Sequence, residues 1–212
     1  MNSLIFVLII VASGGLAIYF RHKKNEVGYA VMKPLTTILI ICLAFLMNVG
    51  RDSEYGWTVI IGLIFSLIGD ALLLKDRWFV QGLLAFLLAH IVFVYAFSSL
   101  FGFNTNLVLL AVLVLVGSIY FRFLLPHLKS YTIPVALYFL VILVMDWQAI
   151  GLSFSSDESI FYALGLSSIL FSFSDGVLAY NKFVRELKFA GFLILTSYWV
   201  AIFIISVSIA FV

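Results

Sequence analysis

The chain has 212 residues, of which 65% are apolar and only 10% are charged, and its mean hydropathy is +1.23. Soluble domains are closer to half apolar and a quarter charged, so this composition excludes a soluble globular protein and indicates a polytopic membrane protein. The net charge is only +2, and we expect neither a nucleic-acid partner nor a protein partner.

Eight apolar runs are each long enough to cross about 30 Å of hydrocarbon. In chain order they are 3–20, 34–49, 57–74, 79–98, 107–125, 133–150, 159–179 and 191–211. Backbone groups cannot be left unpaired in lipid, and barrel strands would be shorter and would alternate in polarity. The runs therefore predict an all-α fold, a bundle of eight transmembrane helices that forms a single integral membrane domain over 1–212.

The connectors between these runs carry very unequal charge. Eleven of the twelve Lys and Arg residues lie in the first, third, fifth and seventh connectors or, for Arg122, at the end of the run that leads into the fifth, whereas the even connectors and both termini contain only Arg51. Loops rich in Lys and Arg are typically cytoplasmic, so both termini are predicted to lie outside. The first run is not expected to be a cleaved signal peptide, because no charge precedes it and no small-residue cleavage pattern follows it.

Some features recur in the two halves of the chain. Asp70 in the third run and Asp175 in the seventh lie 105 residues apart, on helices that are predicted to run in the same direction. Pro34 is predicted to open the second helix and Pro134 the sixth, where a missing N–H costs least. We therefore consider a 4+4 internal repeat, with half-repeats 1–106 and 107–212 related by an axis along the membrane normal.

The two aspartates are the strongest candidates for a functional site. Each lies inside an apolar span, in SLIGDALLL and in FSFSDGVLA, where burial of a carboxylate costs about 2.5–3.5 kcal/mol. Both are predicted to lie roughly 6–9 Å from the cytoplasmic ends of their helices, so that they converge on one cavity. The alternative is that they are structural carboxylates that neighbouring helices satisfy.

Two other polar residues lie within the spans. His90 is the only histidine in a span, and its position predicts a depth of roughly 16 Å, about two turns deeper than the aspartates. It could relay a proton or orient a carboxylate, or it could be a neutral histidine that is hydrogen-bonded between helices. Asp146 lies near the outer end of the sixth helix and is interpreted as reaching the outer interface.

Small and hydroxylated residues accompany both aspartates. Ser66 shares the helix face of Asp70, and Ser174 directly precedes Asp175. Such residues indicate either close helix contacts or a polar lining. Lys33 lies at the predicted mouth of the second helix, where it could bind a lipid phosphate or could simply follow the positive-inside rule.

The sequence lacks the motifs that indicate several common kinds of catalytic site. A catalytic zinc ion needs about three His, Asp, Glu or Cys ligands, and His90 is the only histidine within the spans, which argues against the three-histidine zinc hydrolases of membranes. No G-x-S-x-G elbow, P-loop or dinucleotide fingerprint is present. We therefore expect neither a metal nor a cofactor. The lone cysteine, Cys42, excludes an intramolecular disulfide.

An ordered set of short motifs is similar to that of the YhhN-type lysoplasmalogenase family of integral membrane proteins. The set contains Lys33-Pro34; S-x-x-G-D (Ser66, Gly69, Asp70); G-x-x-x-F-x-x-x-H (Gly82, Phe86, His90); P-x-x-x-Y…M-x-W-x-A (Pro134, Tyr138, Met145, Trp147, Ala149); L-F-x-x-S-D (Leu170, Phe171, Ser174, Asp175); Asn181; and Tyr198. The chain departs from the family at Phe93, where a tyrosine is usual, and near Ile202, where a glutamine is frequent.

The resemblance implies hydrolysis of the vinyl-ether bond of a lysoplasmalogen, a lysophospholipid substrate, to a fatty aldehyde and a glycerophosphoethanolamine or glycerophosphocholine. The reaction needs one protonated carboxyl group and one carboxylate that stabilises an oxocarbenium ion, a division that two carboxyl groups in a low-dielectric site can provide. Asp70 and Asp175 are predicted to fill these roles in an order left open, with His90 assisting. The residues predicted to bind substrate are Lys33, Ser66, Tyr138, Ser174, Asn181 and Tyr198.

The predicted topology places this site at the cytoplasmic leaflet of a membrane, for which a bacterial plasma membrane is our hypothesis. The lipid head group is expected near Lys33, Lys75, Lys182 and Arg185. Two other interpretations stay open. Buried carboxylates and an intramembrane histidine are also typical of proton-coupled transporters. A related hydrolase could act on another single-chain lipid, because family membership does not fix a substrate.

Overall fold

The computed structural model describes residues 3–212, and the regular secondary structure of this part of the chain consists of helices only. Its α-helices are α1 (Ser3–His22), α2 (Glu26–Asn48), α3 (Glu54–Leu72), α4 (Phe79–Phe101), α5 (Leu107–Leu128), α6 (Thr132–Leu152), α7 (Ser159–Phe183) and α8 (Ala190–Ser208). Two short 3₁₀ turns, Asp76–Trp78 and Lys129–Tyr131, precede α4 and α6. The all-α class predicted from the sequence is confirmed.

Seven helical segments of the described chain are long and apolar enough to cross a membrane. One of them, Leu107–Leu152, is 46 residues long and contains both α5 and α6. The direction of the chain changes near Lys129, which has a positive φ of 49°. As a result α6 folds back along α5, and the backbone of Gly117 lies against Phe139 and Leu143.

Six helices form a closed ring in the order α2, α3, α4, α6, α7 and α8, with α8 returning to α2. α1 packs on α2 and α8, and α5 packs on α6 and α7. α3 also contacts α8, which brings the two halves of the chain together. Large apolar side chains on α1 and α5 are exposed along much of both helices, as expected of surfaces that face hydrocarbon.

The second helix begins eight residues before its predicted start. Asn25 caps α2 by accepting a hydrogen bond from the backbone N–H of Gly28, and the acidic Glu26 lies in the first turn, where the helix dipole favours negative charge. Pro34 therefore lies at an interior position of α2, and the prediction that it opens this helix is wrong. Pro134 lies in the first turn of α6, as predicted.

The other boundaries differ less from their predictions. α7 continues four residues beyond the predicted end at 179, and every remaining end agrees within three residues. Because α7 is longer, Asp175 lies eight residues, or about 12 Å, from its end, whereas Asp70 lies only two residues from the end of α3.

Glycines on α3 permit its close contact with α4. A Cβ atom added at Gly62 would lie 2.5 Å from the ring of Phe93, and one at Gly69 equally near the ring of Phe86. Phe93 is fully buried and also packs against Phe171, so its ring has little room to move. The α3–α4 contact therefore requires glycine at these positions.

We predict that Gly62→Ala lowers the free energy of unfolding by about 1–3 kcal/mol, because the new methyl group overpacks the contact with Phe93. Thermal unfolding of the detergent-solubilised protein measures this loss. Gly15→Ala is the matched control, since nothing lies within 4 Å of a Cβ atom at that position. Equal melting temperatures for the two variants would contradict the close α3–α4 packing.

Candidate active site

Asp70 is held by side chains from two other helices. Its carboxyl group is 1% exposed, and its Oδ2 accepts hydrogen bonds from Thr37 on α2 at 2.5 Å and from Tyr198 on α8 at 2.9 Å. The Nζ of Lys33, also on α2, lies 3.2 Å from Oδ1 and donates to the backbone carbonyl of Asp70 at 3.3 Å. The buried negative charge thus has a cation and two hydroxyl donors.

Thr37 was not singled out from the sequence, although a signal for it exists. Its hydroxyl donates to Asp70 and accepts a hydrogen bond from the indole N–H of Trp199 at 3.2 Å. Lys33 and Thr37 are four residues apart, and such residues face the same side of a helix. The predicted start of the second helix at 34 concealed this pairing, because Lys33 then lay outside the helix.

Asp175 has a different environment. Its Oδ2 accepts a hydrogen bond from the hydroxyl of Tyr138 on α6 at 2.5 Å, and the Nε2 of His90 lies 3.7 Å from the same oxygen. Its side chain is 14% exposed. Within residues 3–212 no Lys or Arg forms an ion pair with it, so Asp175 lacks the cation that Asp70 has.

His90 is fully buried next to Asp175. Its Nδ1 lies 2.6 Å from the carbonyl of Phe86, and because a carbonyl can only accept, this nitrogen carries a hydrogen. Its Nε2 has no hydrogen-bond partner among the described residues. The prediction that His90 lies about two turns deeper than both aspartates is wrong for Asp175, since the longer α7 places that residue deeper.

The surroundings of the two aspartates correspond helix by helix. Asp70 on α3 receives one hydroxyl group from α2 and another from α8. Asp175 on α7 receives a hydroxyl group from α6 and faces a histidine from α4. The helices that supply these groups are related by four positions in chain order, since α2, α3 and α8 become α6, α7 and α4. The groups themselves differ, because Asp70 has a lysine and two hydroxyl donors, whereas Asp175 has one hydroxyl donor and a histidine.

Two cavities meet at Asp175. A small cavity of about 80 Å³ is lined by both aspartates, and its other polar or charged lining residues are Arg21, Tyr29, Lys33, Ser174 and Tyr198. A large cavity of about 580 Å³ lies between α5, α6 and α7 and contains Asp175, Tyr138 and Asp146 in an otherwise mostly apolar wall. Asp175 is therefore accessible from a cavity with charged and polar walls on one side and from an apolar cavity on the other.

The remaining candidate residues lie at varied distances from these cavities. Ser174 lines the small cavity, and its hydroxyl donates to a backbone carbonyl of α8. Ser66 is fully buried one turn before Asp70, donates to its own helix and lines neither cavity. Asn181 is near the end of α7, where its side chain accepts a hydrogen bond from the backbone N–H of Leu187. The structure thus brings Ser174, but not Ser66 or Asn181, to the aspartates.

The basic residues are placed differently from the sequence prediction. Lys33 lies about two turns inside α2 rather than at its mouth, and it pairs with Asp70. Lys182 pairs with the exposed Asp76 at 3.0 Å. Arg21, which was not singled out, lines the small cavity instead. Within the described part of the chain, no group of three or more His, Cys, Asp or Glu side chains could hold a metal ion.

This geometry suits acid–base chemistry on an amphiphilic molecule. One carboxylate is fixed beside a lysine, and a second carboxyl group without a cation lies nearby in the wall of the same small cavity. Such unlike pairs can divide the roles of acid and base between them. The large apolar cavity next to Asp175 can accept a hydrocarbon chain.

Comparison with known proteins gives related sequences but no related structure. The family model described as "YhhN family" matches residues 28–209. Lysoplasmalogenase TMEM86B of Rattus norvegicus is 34% identical over 80% of this chain and 69% of its own length, and the Homo sapiens protein of the same name is 33% identical over 80% and 71%. Lysoplasmalogenase TMEM86A of Homo sapiens is 31% identical over 71% and 64%. No solved structure matches significantly.

We predict that Lys33→Met lowers the free energy of unfolding by about 3–5 kcal/mol, because it leaves the carboxylate of Asp70 buried without a cation. Adding Asp70→Asn should restore most of this loss, since the charge is then removed as well. Thermal unfolding of the two single variants and the double variant gives the coupling. Lys182→Met is the matched control, because its ion pair is exposed and should contribute little. A double variant no more stable than Lys33→Met would contradict the pairing.

Proposed function

The chain belongs to the YhhN family, and on that premise we propose that it is a membrane hydrolase that cleaves the vinyl-ether bond of lysoplasmalogens. The products are a fatty aldehyde and glycerophosphoethanolamine or glycerophosphocholine. The single observation that carries this proposal is the position of Asp175, at the junction of a charged, polar cavity and an apolar one. A vinyl ether joins a phosphorylated head group to a hydrocarbon chain, and it fits such a junction. The names of the relatives provide independent support.

The unequal surroundings of the aspartates assign their roles. Lys33 supplies the positive charge beside Asp70, and two hydroxyl donors occupy Oδ2, so Asp70 is the carboxylate that stabilises a developing cation. Asp175 has one hydroxyl donor and no Lys or Arg partner within residues 3–212, and we assign it as the general acid. Tyr138 fixes Oδ2 of Asp175, which leaves Oδ1 to carry the transferable proton.

In the vinyl ether, C1 is the alkenyl carbon bonded to the ether oxygen and C2 is the next carbon of the hydrocarbon chain. The reaction begins when Asp175 transfers its proton to C2. The electron pair of the C1–C2 double bond forms the new C–H bond, and an oxocarbenium ion remains at C1. Water then forms a bond to C1 and passes a proton to the carboxylate of Asp175, which restores the acid. The resulting hemiacetal collapses as its hydroxyl proton moves to the glycerol oxygen and the C1–O bond breaks.

The charges and shapes of the cavities orient the substrate. The phosphate of the head group lies near Arg21 and Lys33 in the small cavity, and the hydrocarbon chain lies between α5, α6 and α7 in the large one. In this orientation the vinyl-ether bond lies beside the carboxyl group of Asp175. His90 contacts the ring of Tyr138, with centroids 5.3 Å apart, and supports its position. Ser174 and Tyr198 complete the small cavity, whereas Ser66 and Asn181 have supporting roles outside it.

We further propose eight membrane crossings with both termini outside, in a bacterial plasma membrane, and a site that opens to the cytoplasmic leaflet. The turn at Lys129 and the packing of α6 back on α5 support two crossings within Leu107–Leu152. The correspondence between the Asp70 and Asp175 surroundings supports half-repeats 1–106 and 107–212. The contacts between neighbouring helices of the ring also support the half-repeats. A shift by four helices relates the α2–α3 contact to the α6–α7 contact and the α4–α6 contact to the α8–α2 contact.

We predict that Asp175→Asn lowers the rate of aldehyde release from a lysoplasmalogen by about 10²–10⁴-fold, because the amide cannot supply the proton. Asp70→Asn should also lower it strongly, because an amide cannot stabilise the oxocarbenium ion by charge. The assay uses purified protein in detergent. A lysophospholipid with an ester in place of the vinyl ether is the substrate control, and a chelator is the control for a metal.

The outcomes of this assay separate the interpretations. Full activity in both well-folded variants would mean that the aspartates are structural and would contradict the mechanism. No turnover of any vinyl-ether lysolipid by the parent protein would contradict the substrate. Hydrolysis of the ester lipid alone would instead favour a hydrolase of another single-chain lipid.

The proposed topology predicts a pattern of cysteine labelling in intact cells. In a Cys42→Ser background, Thr105→Cys before α5 and Ser155→Cys after α6 should react with a membrane-impermeant maleimide, because both lie outside. Ser130→Cys, at the turn between α5 and α6, should react only after the cells are permeabilised. All three positions are exposed in the structure. Labelling of all three variants alike in intact cells would contradict the two crossings, and labelling of Ser130→Cys alone would contradict the orientation.

A further inference from the structure

A third buried carboxyl group, that of Asp146 on α6, lies in the wall of the large cavity. It is 6% exposed, and its Oδ2 accepts a hydrogen bond from Ser172 on α7 at 2.7 Å. Its Oδ1 is buried and accepts no hydrogen bond among the described residues, since the nearby hydroxyl of Ser168 donates to the carbonyl of Gly165 instead. The sequence prediction that Asp146 reaches the outer interface is wrong, because the side chain turns toward α7. The proposed reaction steps leave this carboxyl group unused.

An unpaired carboxyl oxygen in such a place indicates a ligand that can hydrogen-bond. Burial of a polar atom without a partner is unfavourable, because the atom loses its hydrogen bonds to water and gains none in return. The ligand has few other polar groups to contact, because the hydroxyls of Tyr120, Tyr138 and Ser172 already donate to protein oxygens. The fourth hydroxyl in the wall, that of Tyr180, lies more than one turn beyond Asp175 on α7.

The proposed reaction requires such a ligand close to the acid. Water must reach C1 inside a cavity whose wall is otherwise mostly hydrocarbon, and apolar cavities tend to stay dry. Ser172 and Asp175 are three residues apart on α7, a rise of about 4.5 Å, and lie on neighbouring positions of one helix face. The pair of Asp146 and Ser172 therefore lies one turn from Asp175, in the same cavity.

We infer that Asp146 binds the hydrolytic water through Oδ1, while Ser172 fixes the carboxyl group through Oδ2. This assignment rests on the proposed vinyl-ether hydrolysis and adds a residue to it. The oxygen of the bound water forms the bond to C1, and one of its protons passes to the carboxylate that Asp175 becomes after protonating C2. Asp146 thus speeds capture of the oxocarbenium ion and has no part in forming it.

This division of steps has a signature that a structural role lacks. When water is poorly held, the oxocarbenium ion persists and can return a proton from C2 to Asp175, which regenerates the vinyl ether. In D₂O the carboxyl group of Asp175 carries deuterium, so each reversal can leave deuterium on C2. Slow capture of the oxocarbenium ion by water therefore leaves deuterium at C2 of the unreacted lysoplasmalogen, which mass spectrometry can measure.

The test uses the full-length protein with Asp146→Asn, which keeps the size of the side chain. In this variant the amide oxygen accepts the hydrogen bond from Ser172, so the NH₂ group takes the place of Oδ1. The NH₂ group donates a hydrogen bond to the water oxygen and so occupies the lone pair with which the water must attack C1. We expect aldehyde release to fall about 100-fold with little change in KM, as for a misplaced reactant. We also expect deuterium at C2 of the recovered lysoplasmalogen, which the parent protein does not introduce.

Further variants define the controls. Asp146→Leu should give the same two effects, and Ser172→Ala weaker forms of both. Ser167→Ala is the matched control, because this buried α7 hydroxyl donates to its own helix and lies outside the large cavity. It should leave both rate and exchange unchanged. Asp175→Asn should abolish hydrolysis and exchange together, because no proton reaches C2.

Three results would overturn the inference. Full hydrolysis by Asp146→Asn and Asp146→Leu would mean that water is held elsewhere. Lost hydrolysis without deuterium exchange, in a variant with a normal melting temperature, would place Asp146 in the protonation step. Absence of aldehyde release by the parent protein would overturn the proposed function and this inference with it. That last failure is distinguishable because it precedes any substitution.

Discussion

The need to neutralise one buried carboxylate governs much of this structure. Asp70 lies near the end of the apolar helix α3, where an unpaired buried charge is unfavourable. Its partners come from α2 and α8, the helices at which the ring of six closes. Thr37 extends this network to Trp199 and so ties α2 to α8 a second time. The interactions that satisfy the charge therefore also join the two halves of the chain.

One architecture thus supports two carboxyl groups with different chemical properties. Asp70 and Asp175 take corresponding places in a network of hydroxyl donors, yet only Asp70 has a lysine. In the proposed mechanism, the cation contributed by α2 distinguishes the stabilising carboxylate from the proton donor. The comparisons show the family, from which the proposed substrate comes, and the geometry of the site is compatible with acid–base chemistry on an amphiphilic molecule.

The sequence predicted the helices well because hydropathy and length constrain a membrane span strongly. It predicted α2 poorly, since the polar stretch after α1 hides a helix start that the Asn25 side chain fixes by a local hydrogen bond. That error concealed Thr37. The contact between His90 and Asp175, and the burial of Asp146 against α7, depend on helix tilt and on which helices are neighbours. Neither property follows from hydropathy, and the catalytic roles stay proposals.

The junction of the two cavities at Asp175 has a thermodynamic consequence for the proposed reaction. Before cleavage, a single covalent bond couples a water-soluble group to a lipid-soluble one. After cleavage, the aldehyde would stay in the bilayer through its alkyl chain, while the glycerophospho compound would dilute into the aqueous phase. The products are thus sorted into separate phases as they form, and mass action opposes their recombination. An enzyme built at this boundary gains directionality from the membrane itself, without coupling to ATP or to an ion gradient.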